Sequence, residues 1–158
     1  ESLEDRVDHL DQLRRQQDRT LGFTGFIPLP FQPENNRIPV TNAPSGYDQL
    51  RTIAVSRLYL DNIDHITAYW VGMGLKMAQV ALSHGADDLH GTILEEHIFH
   101  MAGAKSPQMT AEADLVRAIR EAGRQPVQRN TFYEPIREPA PAPVATATIG
   151  VSTGVALA

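Results

Sequence analysis

Cysteine is absent from this chain. That excludes a disulfide framework, a thiol nucleophile and any cluster ligated by the chain's own thiolates. The lack also fits a cytoplasmic protein. No apolar run approaches the about twenty residues a membrane helix needs, and no signal peptide opens the chain. Positive charge is in short supply: 14 basic residues face 19 acidic ones, for a net charge of −5, with no basic run. Such a balance argues against nucleic acid as a partner. What remains, 158 residues with 42% hydrophobic and 21% charged side chains, is enough for one globular domain with a core.

Glu1 stands where an initiator methionine would, almost inside a helical pattern. Ser2 and Asp5 form a cap and its partner, and Leu3, Val7, Leu10 and Leu13 follow at helical spacing. This start suggests a piece of something longer; a native short protein is the alternative.

Residues 2–18 read as an amphipathic helix. "GFTGFIPLPF" (Gly22 to Phe31) is apolar and glycine-bounded, and reads as a buried strand, with its prolines at an end or edge. A polar loop full of turn residues runs from Gln32 to Gly46. Tyr47 to Leu60 reads as a helix with Leu50, Ile53, Ala54 and Leu58 on one face, "HITAYWVG" (His65 to Gly72) as a strand, and Leu75 to His84 as a helix. "DDLHGT" (Asp87 to Thr92) is a short strand or turn before a fourth helix. A fifth helix, from about Ala111 to Ala122, is capped by Thr110 and stopped by Gly123. Strands alternating with helices predict an α/β fold of parallel βα units; three strands cannot close a barrel but can be a segment of one. From Glu138 the chain is Ala, Pro, Thr, Gly and Val without period, and reads as a disordered tail over 138–158; a linker is the alternative.

Between His90 and His100 stand three histidines and the adjacent Glu95 and Glu96. Thr92 and Glu95 have capping-box spacing, and Leu94, Ile98, Met101 and Ala102 form an apolar stripe opposite Glu96, His97 and His100. The cluster therefore reads as a capped helix with a polar face, ended by Gly103, and not as a metal site. In parallel βα folds ligands gather beyond the C-terminal ends of the strands. "DDLHGT" is such an end and feeds a helix N-terminus, where an anion such as a substrate carboxylate would sit among Asp87, Asp88, Thr92 and Glu95.

Four collinear blocks, "GFIPLPFQPENN", "IAVSRLYLDNIDHITAYWVGMG", "KMAQVALSHGADDLHGTILEEHIFHMAGA" and "EAGRQPVQRNTFY", resemble the C-terminal part of the aminofutalosine synthases, radical SAM enzymes of the futalosine route to menaquinone. The resemblance covers about Ser2 to Arg137. It implies the last three βα units and C-terminal helices of a TIM-type (β/α) barrel, incomplete in this chain. The family uses S-adenosylmethionine and a [4Fe-4S] cluster held by cysteines that this chain lacks. Its radical adds to the enolpyruvyl ether of a chorismate-derived benzoate with loss of carbon dioxide. The partners so implied are a small-molecule substrate, the missing N-terminal half of the barrel and an external electron donor; the fragment alone would be inactive.

By the same resemblance Ile27, Pro28 and Leu29 would contact SAM. Phe31, Gln32, Asn35, Tyr69, Trp70, Asp88, Gly91, Thr92 and Glu95 would line the substrate pocket, with no catalytic residue singled out. Core packing accounts equally for Ile27, Leu29 and Trp70. Arg57 and Asp61 read as structural. The chain departs from the synthase pattern at Gln32 (usually His), Asp64 (usually Pro) and His90 (usually Asp). Gln32 is nearer the dehypoxanthine futalosine cyclases, which stand as the alternative substrate class. A free-standing, non-catalytic βα module is the alternative outside the family.

Overall fold

A computed structural model describes residues 1–35, 37–40, 43–93 and 96–137. The first element, α1 (Leu3–Thr20), begins as its sequence dictates: Asp5 N donates to Ser2 Oγ at 3.1 Å, and Ser2 N to Asp5 Oδ2 at 2.7 Å. Reciprocal capping of this kind satisfies two otherwise orphaned donors. Helix α2 (Gly46–Tyr59) repeats the device with Ser45 and Asp48. The apolar faces sit differently from the periodicity. On α1 Leu10 is buried and Leu13 packs beside it, while Leu3 and Val7 are exposed. On α2 the buried positions are Ile53 and Ser56, and Leu58 faces solvent. The 53/56 stripe is the one that meets the strands.

Those strands are short. Phe26 N donates to His65 O (2.8 Å), Thr67 N to Phe26 O (2.9 Å), Asp87 N to Ile66 O (3.0 Å) and Ala68 N to Asp88 O (2.8 Å). Both bridges, Phe26 with Ile66 and Thr67 with Asp88, are parallel. Three consecutive segments thus lie side by side in chain order, and among the described residues neither outer edge pairs with another strand. The expected buried strand over Gly22 to Phe31 is accordingly an edge: Ile27, Leu29 and Phe31 are 36%, 59% and 39% exposed. The expected strand over His65 to Gly72 also ends early, because Trp70 opens a one-turn helix, α3 (Trp70–Met73). Helix α4 (Leu75–Ala81) follows.

The fourth helix is not where its cap spacing put it. Thr92 and Ile93 are not helical, Leu94 and Glu95 lie outside the described residues, and α5 is only Ile98–Met101. Glu96 caps it instead, its Oε1 accepting from Ile98 N at 2.8 Å and Phe99 N at 3.2 Å. The expected apolar stripe fails with it: Ile98 and Met101 are exposed, and Phe99 is the residue that packs on the core. Helix α6 (Glu112–Glu121) is preceded by Ala111 without a side-chain cap, Thr110 being buried, and Gly123 ends it at φ 71°. Beyond it β1 (Gln128–Arg129) and β2 (Pro135–Arg137) form an antiparallel pair that the sequence reading left blank. The expected tail, 138–158, lies outside the described residues.

The molecule is therefore a mixed α/β unit. Its main core joins Ile53 of α2, Ile66 and Ala68 of the central segment, Trp70, Ala78 and Ala81 of α4, Leu89 and Leu115 of α6. A second cluster, Leu10, Leu60 and Ile63, fastens α1. No described helix is long and apolar enough to cross a membrane.

Candidate functional site

Alternation along the central segment sorts its side chains. Ile66 and Ala68 enter the core, Thr67 turns its hydroxyl to Asp88, and Tyr69, part of the same core through its ring, reaches Glu96 and stands beside His90. Asp88 is the most heavily bonded of these groups. Its Oδ2 accepts from Thr67 Oγ1 (2.7 Å), Arg129 Nη2 (2.7 Å) and His90 N (3.1 Å), and its Oδ1 from Arg129 Nε (3.0 Å). Burial pushes the Asp88 carboxyl up, but hydrogen bonds from Arg129 and Thr67 and the charge of Arg129 outweigh it and hold the group below the usual carboxylate range. Arg129 in turn lies 3.9 Å from the centre of the Tyr133 ring, which stacks at 3.8 Å on His65. The turn between β1 and β2 therefore clamps the near face of the parallel segments.

Asp87 faces away from the open end, contrary to its expected place in an anion site. It accepts from Arg57 Nη2 (2.5 Å) and Ile66 N (2.7 Å) and meets His65 Nδ1 at 2.6 Å. Arg57 also donates to Gly85 O and Asp64 O, the structural part expected of it. Asp61 pairs with Arg14 at 2.5 Å.

At the open end Tyr69 is buried and donates to Glu96 Oε2 at 2.9 Å. Burial, that hydrogen bond and the Glu96 charge push its phenol up to about 12. Glu96 is held below its ordinary value, first by the Phe99 N–H and then, against a burial penalty, by Tyr69, Ile98 N and His100. His90 (φ 75°) and Gly91 (φ 104°) turn the chain just beyond Asp88, and Trp70 Nε1 donates to Gly91 O at 2.8 Å. Trp70 itself is fully buried, so its ring belongs to the core.

The Gln32 and Asn35 amides bind backbone, Gln32 Nε2 to Gly72 O (2.9 Å) and Asn35 Nδ2 to Met101 O (3.2 Å). These bonds draw the loop that follows Phe31 over α3 and α5. The approach is close at Gly72: a Cβ there would lie 2.8 Å from Phe99 and 3.2 Å from Pro30. Ile27, Pro28, Leu29 and Phe31 form an apolar run beside this loop, and Thr92 is exposed at its far side. Glu95 lies outside the described residues. A cleft of about 270 Å³ follows the free edge of the last parallel segment, between Asp88, Leu89 and Arg129 on one side and Leu115, Ile119 and Val127 on the other.

Tyr69, Asp88 and Gly91 are thus brought together, while Gln32 and Asn35 join the rim through α3 and α5. Sequence reasoning missed Thr67, Glu96, Arg129 and Tyr133. The "RNTFY" run was visible as a block, but nothing in its spacing names Asp88 as its partner. Among the described residues no three histidines or carboxylates converge as metal ligands. With no thiolate either, the residues present do not fit an iron–sulfur cluster. Toward S-adenosylmethionine they offer only the exposed apolar edge of Ile27 and Leu29.

In parallel α/β units the crevice beyond the C-terminal ends of the strands is where ligands gather. The family model for the CofH/MqnC C-terminal region matches residues 20–142, and the chain belongs to that family. It is 48% identical over 141 residues to the aminodeoxyfutalosine synthase of Thermus thermophilus, covering 87% of this chain and 38% of that enzyme. The cyclic dehypoxanthine futalosine synthase of Streptomyces coelicolor is 42% identical over 134 residues (85% and 33%). The 5-amino-6-(D-ribitylamino)uracil–L-tyrosine 4-hydroxyphenyl transferase of Methanoculleus marisnigri is 46% identical over 137 (84% and 37%). The chain spans little more than a third of these enzymes.

Proposed function

We propose that this chain is the C-terminal part of a cytoplasmic radical SAM aminofutalosine synthase. It would supply the last three strands of a (β/α) barrel, and the remainder of the protein the cysteines. The observation that carries this reading is the 48% identity to a synthase over nearly the whole chain. The geometry supports it: three parallel segments in chain order, among the described residues unpaired at both outer edges, with a cleft along the last one where a further strand would fit.

S-adenosylmethionine and a [4Fe-4S] cluster, reduced by an external donor, would supply a 5′-deoxyadenosyl radical for addition to the enolpyruvyl ether of the benzoate, with loss of carbon dioxide, to make aminodeoxyfutalosine. This chain's own part is to shape the pocket. Ile27, Pro28 and Leu29 offer an apolar edge to the nucleoside. Phe31, Gln32 and Asn35 hold the rim. Tyr69, fixed as a neutral phenol by Glu96, and the Gly91–Thr92 turn floor the substrate end.

The test is the full-length protein, cluster reconstituted and reduced, given SAM and either the enolpyruvyl benzoate or dehypoxanthine futalosine. Aminodeoxyfutalosine from the first substrate alone is expected. Cyclised product from the second would move the protein to the cyclases. The 158 residues by themselves are expected to cleave no SAM.

A further inference from the structure

We propose that His90 is a specificity-determining residue, its imidazole donating a hydrogen bond to the benzoate carboxylate of the substrate at the open end of the parallel segments. The inference rests on the function proposed above and adds to it a ligand contact.

The backbone is the first observation. His90 carries a Cβ yet sits at φ 75°, a region such residues rarely occupy outside special turns. Two bonds over-determine the strain: His90 N donates to Asp88 Oδ2 at 3.1 Å, and Trp70 fixes the next carbonyl, Gly91 O, at 2.8 Å. Asp88 is itself held by Nε and Nη2 of Arg129. A strained residue anchored from three directions at a strand's C-terminal end is the pattern found where conformation serves a ligand.

The second observation is where the ring goes. It stands edge-on to Tyr69, with centroids 5.3 Å apart, on an exposed residue. Among the described residues neither ring nitrogen has a hydrogen-bond partner, whereas the polar groups around it are committed. Glu96 accepts from Tyr69, Ile98 N and Phe99 N. Asp88 accepts from Thr67, Arg129 and His90 N. The Gln32 and Asn35 amides donate to Gly72 and Met101 carbonyls. Asp88 and Glu96 thus spend their oxygens on partners inside the protein, and the solvent-exposed His90 imidazole is open to a ligand. An uncommitted imidazole donor beside Asp88, whose charge Arg129 neutralises, suits an acceptor bearing negative charge, and the proposed substrate carries two carboxylates.

The experiment uses the full-length, cluster-reconstituted protein. The probes are 3-[(1-carboxyvinyl)oxy]benzoate and its benzamide counterpart, in equilibrium binding without SAM and in steady-state turnover. His90→Ala is expected to weaken binding and raise KM for the carboxylate by about tenfold or more, the worth of one hydrogen bond to a charged group. kcat should change far less, and binding of the benzamide should not change. His90→Gln, which keeps a donor, should recover part of the loss. His90→Gly relieves the turn and should melt no lower than the parent while binding as weakly as His90→Ala, which separates ligand contact from folding. Carboxylate binding that is equal in wild type and His90→Ala, an equal loss toward the benzamide, or a lower melting temperature for His90→Gly would each overturn the proposal while leaving the synthase reading intact. A wild type that neither binds nor converts the ether overturns that reading, and the His90 contact with it.

Discussion

Asp88 and Arg129 show how much one pair decides. Removing the guanidinium would leave a largely buried carboxylate facing only Thr67 and a backbone N–H. Breaking a fully buried pair costs about 3–5 kcal/mol; because Arg129 is 23% exposed, Arg129→Ala is expected to cost about 2–3 kcal/mol in urea unfolding. The pH dependence has a definite sign. Asp88 is depressed in the folded chain, so its contribution is present above the unfolded value of about 3.9 and is lost as pH falls below it. Stability of the parent should therefore fall more steeply below about pH 4 than that of Arg129→Ala, where the depression is gone. Tyr69 behaves oppositely. Raised to about 12, it stays neutral while an unfolded tyrosine ionises near 10, so the parent loses stability as pH rises through that interval. Tyr69→Phe should remove the highest component from the ultraviolet titration of the phenols. Neither pair was legible in the sequence. Arg129 lies 41 residues from Asp88 and Glu96 lies 27 from Tyr69, and hydrophobic period is silent about partners at such distances.

Elements follow local chemistry where that chemistry is undisputed. The Ser2/Asp5 capping box begins α1 and Gly123 ends α6 as expected, and Ser45 with Asp48 repeats the box on α2. Ser45→Ala should accordingly cost about 1 kcal/mol and shorten α2 at its N-terminus, measurable by thermal melting and far-ultraviolet circular dichroism. The Thr92 signal failed because tertiary demands won. The His90–Gly91 turn redirects the chain, and the Tyr69 hydroxyl draws Glu96 inward, so capping passes to Glu96 and only one turn of helix is left. The strand over Gly22 to Phe31 was legible in kind but not in burial, since alternation along a strand cannot reveal whether a neighbour covers its far side.

The whole molecule has a covered side and a bare one. Helices cover one face of the parallel segments, while Ile27, Leu29 and Phe31 stand partly bare beside an edge that is unpaired among the described residues. Unpaired edges of this kind invite association. The isolated 158 residues are expected to self-associate in analytical ultracentrifugation, and under the proposed function co-expression with the barrel's other strands is expected to suppress it. The clamp also has a temporal consequence. On the ribosome the three parallel segments are complete once Asp88 has been made, yet Asp88 has no cation until Arg129 follows, and Thr67 and Tyr133, 66 residues apart, meet later still. Contacts of such sequence separation close late. The parallel segments are thus synthesised first and locked last, and a nascent chain stalled between these points would hold the Asp88 carboxylate without the cation that pairs with it in the folded chain.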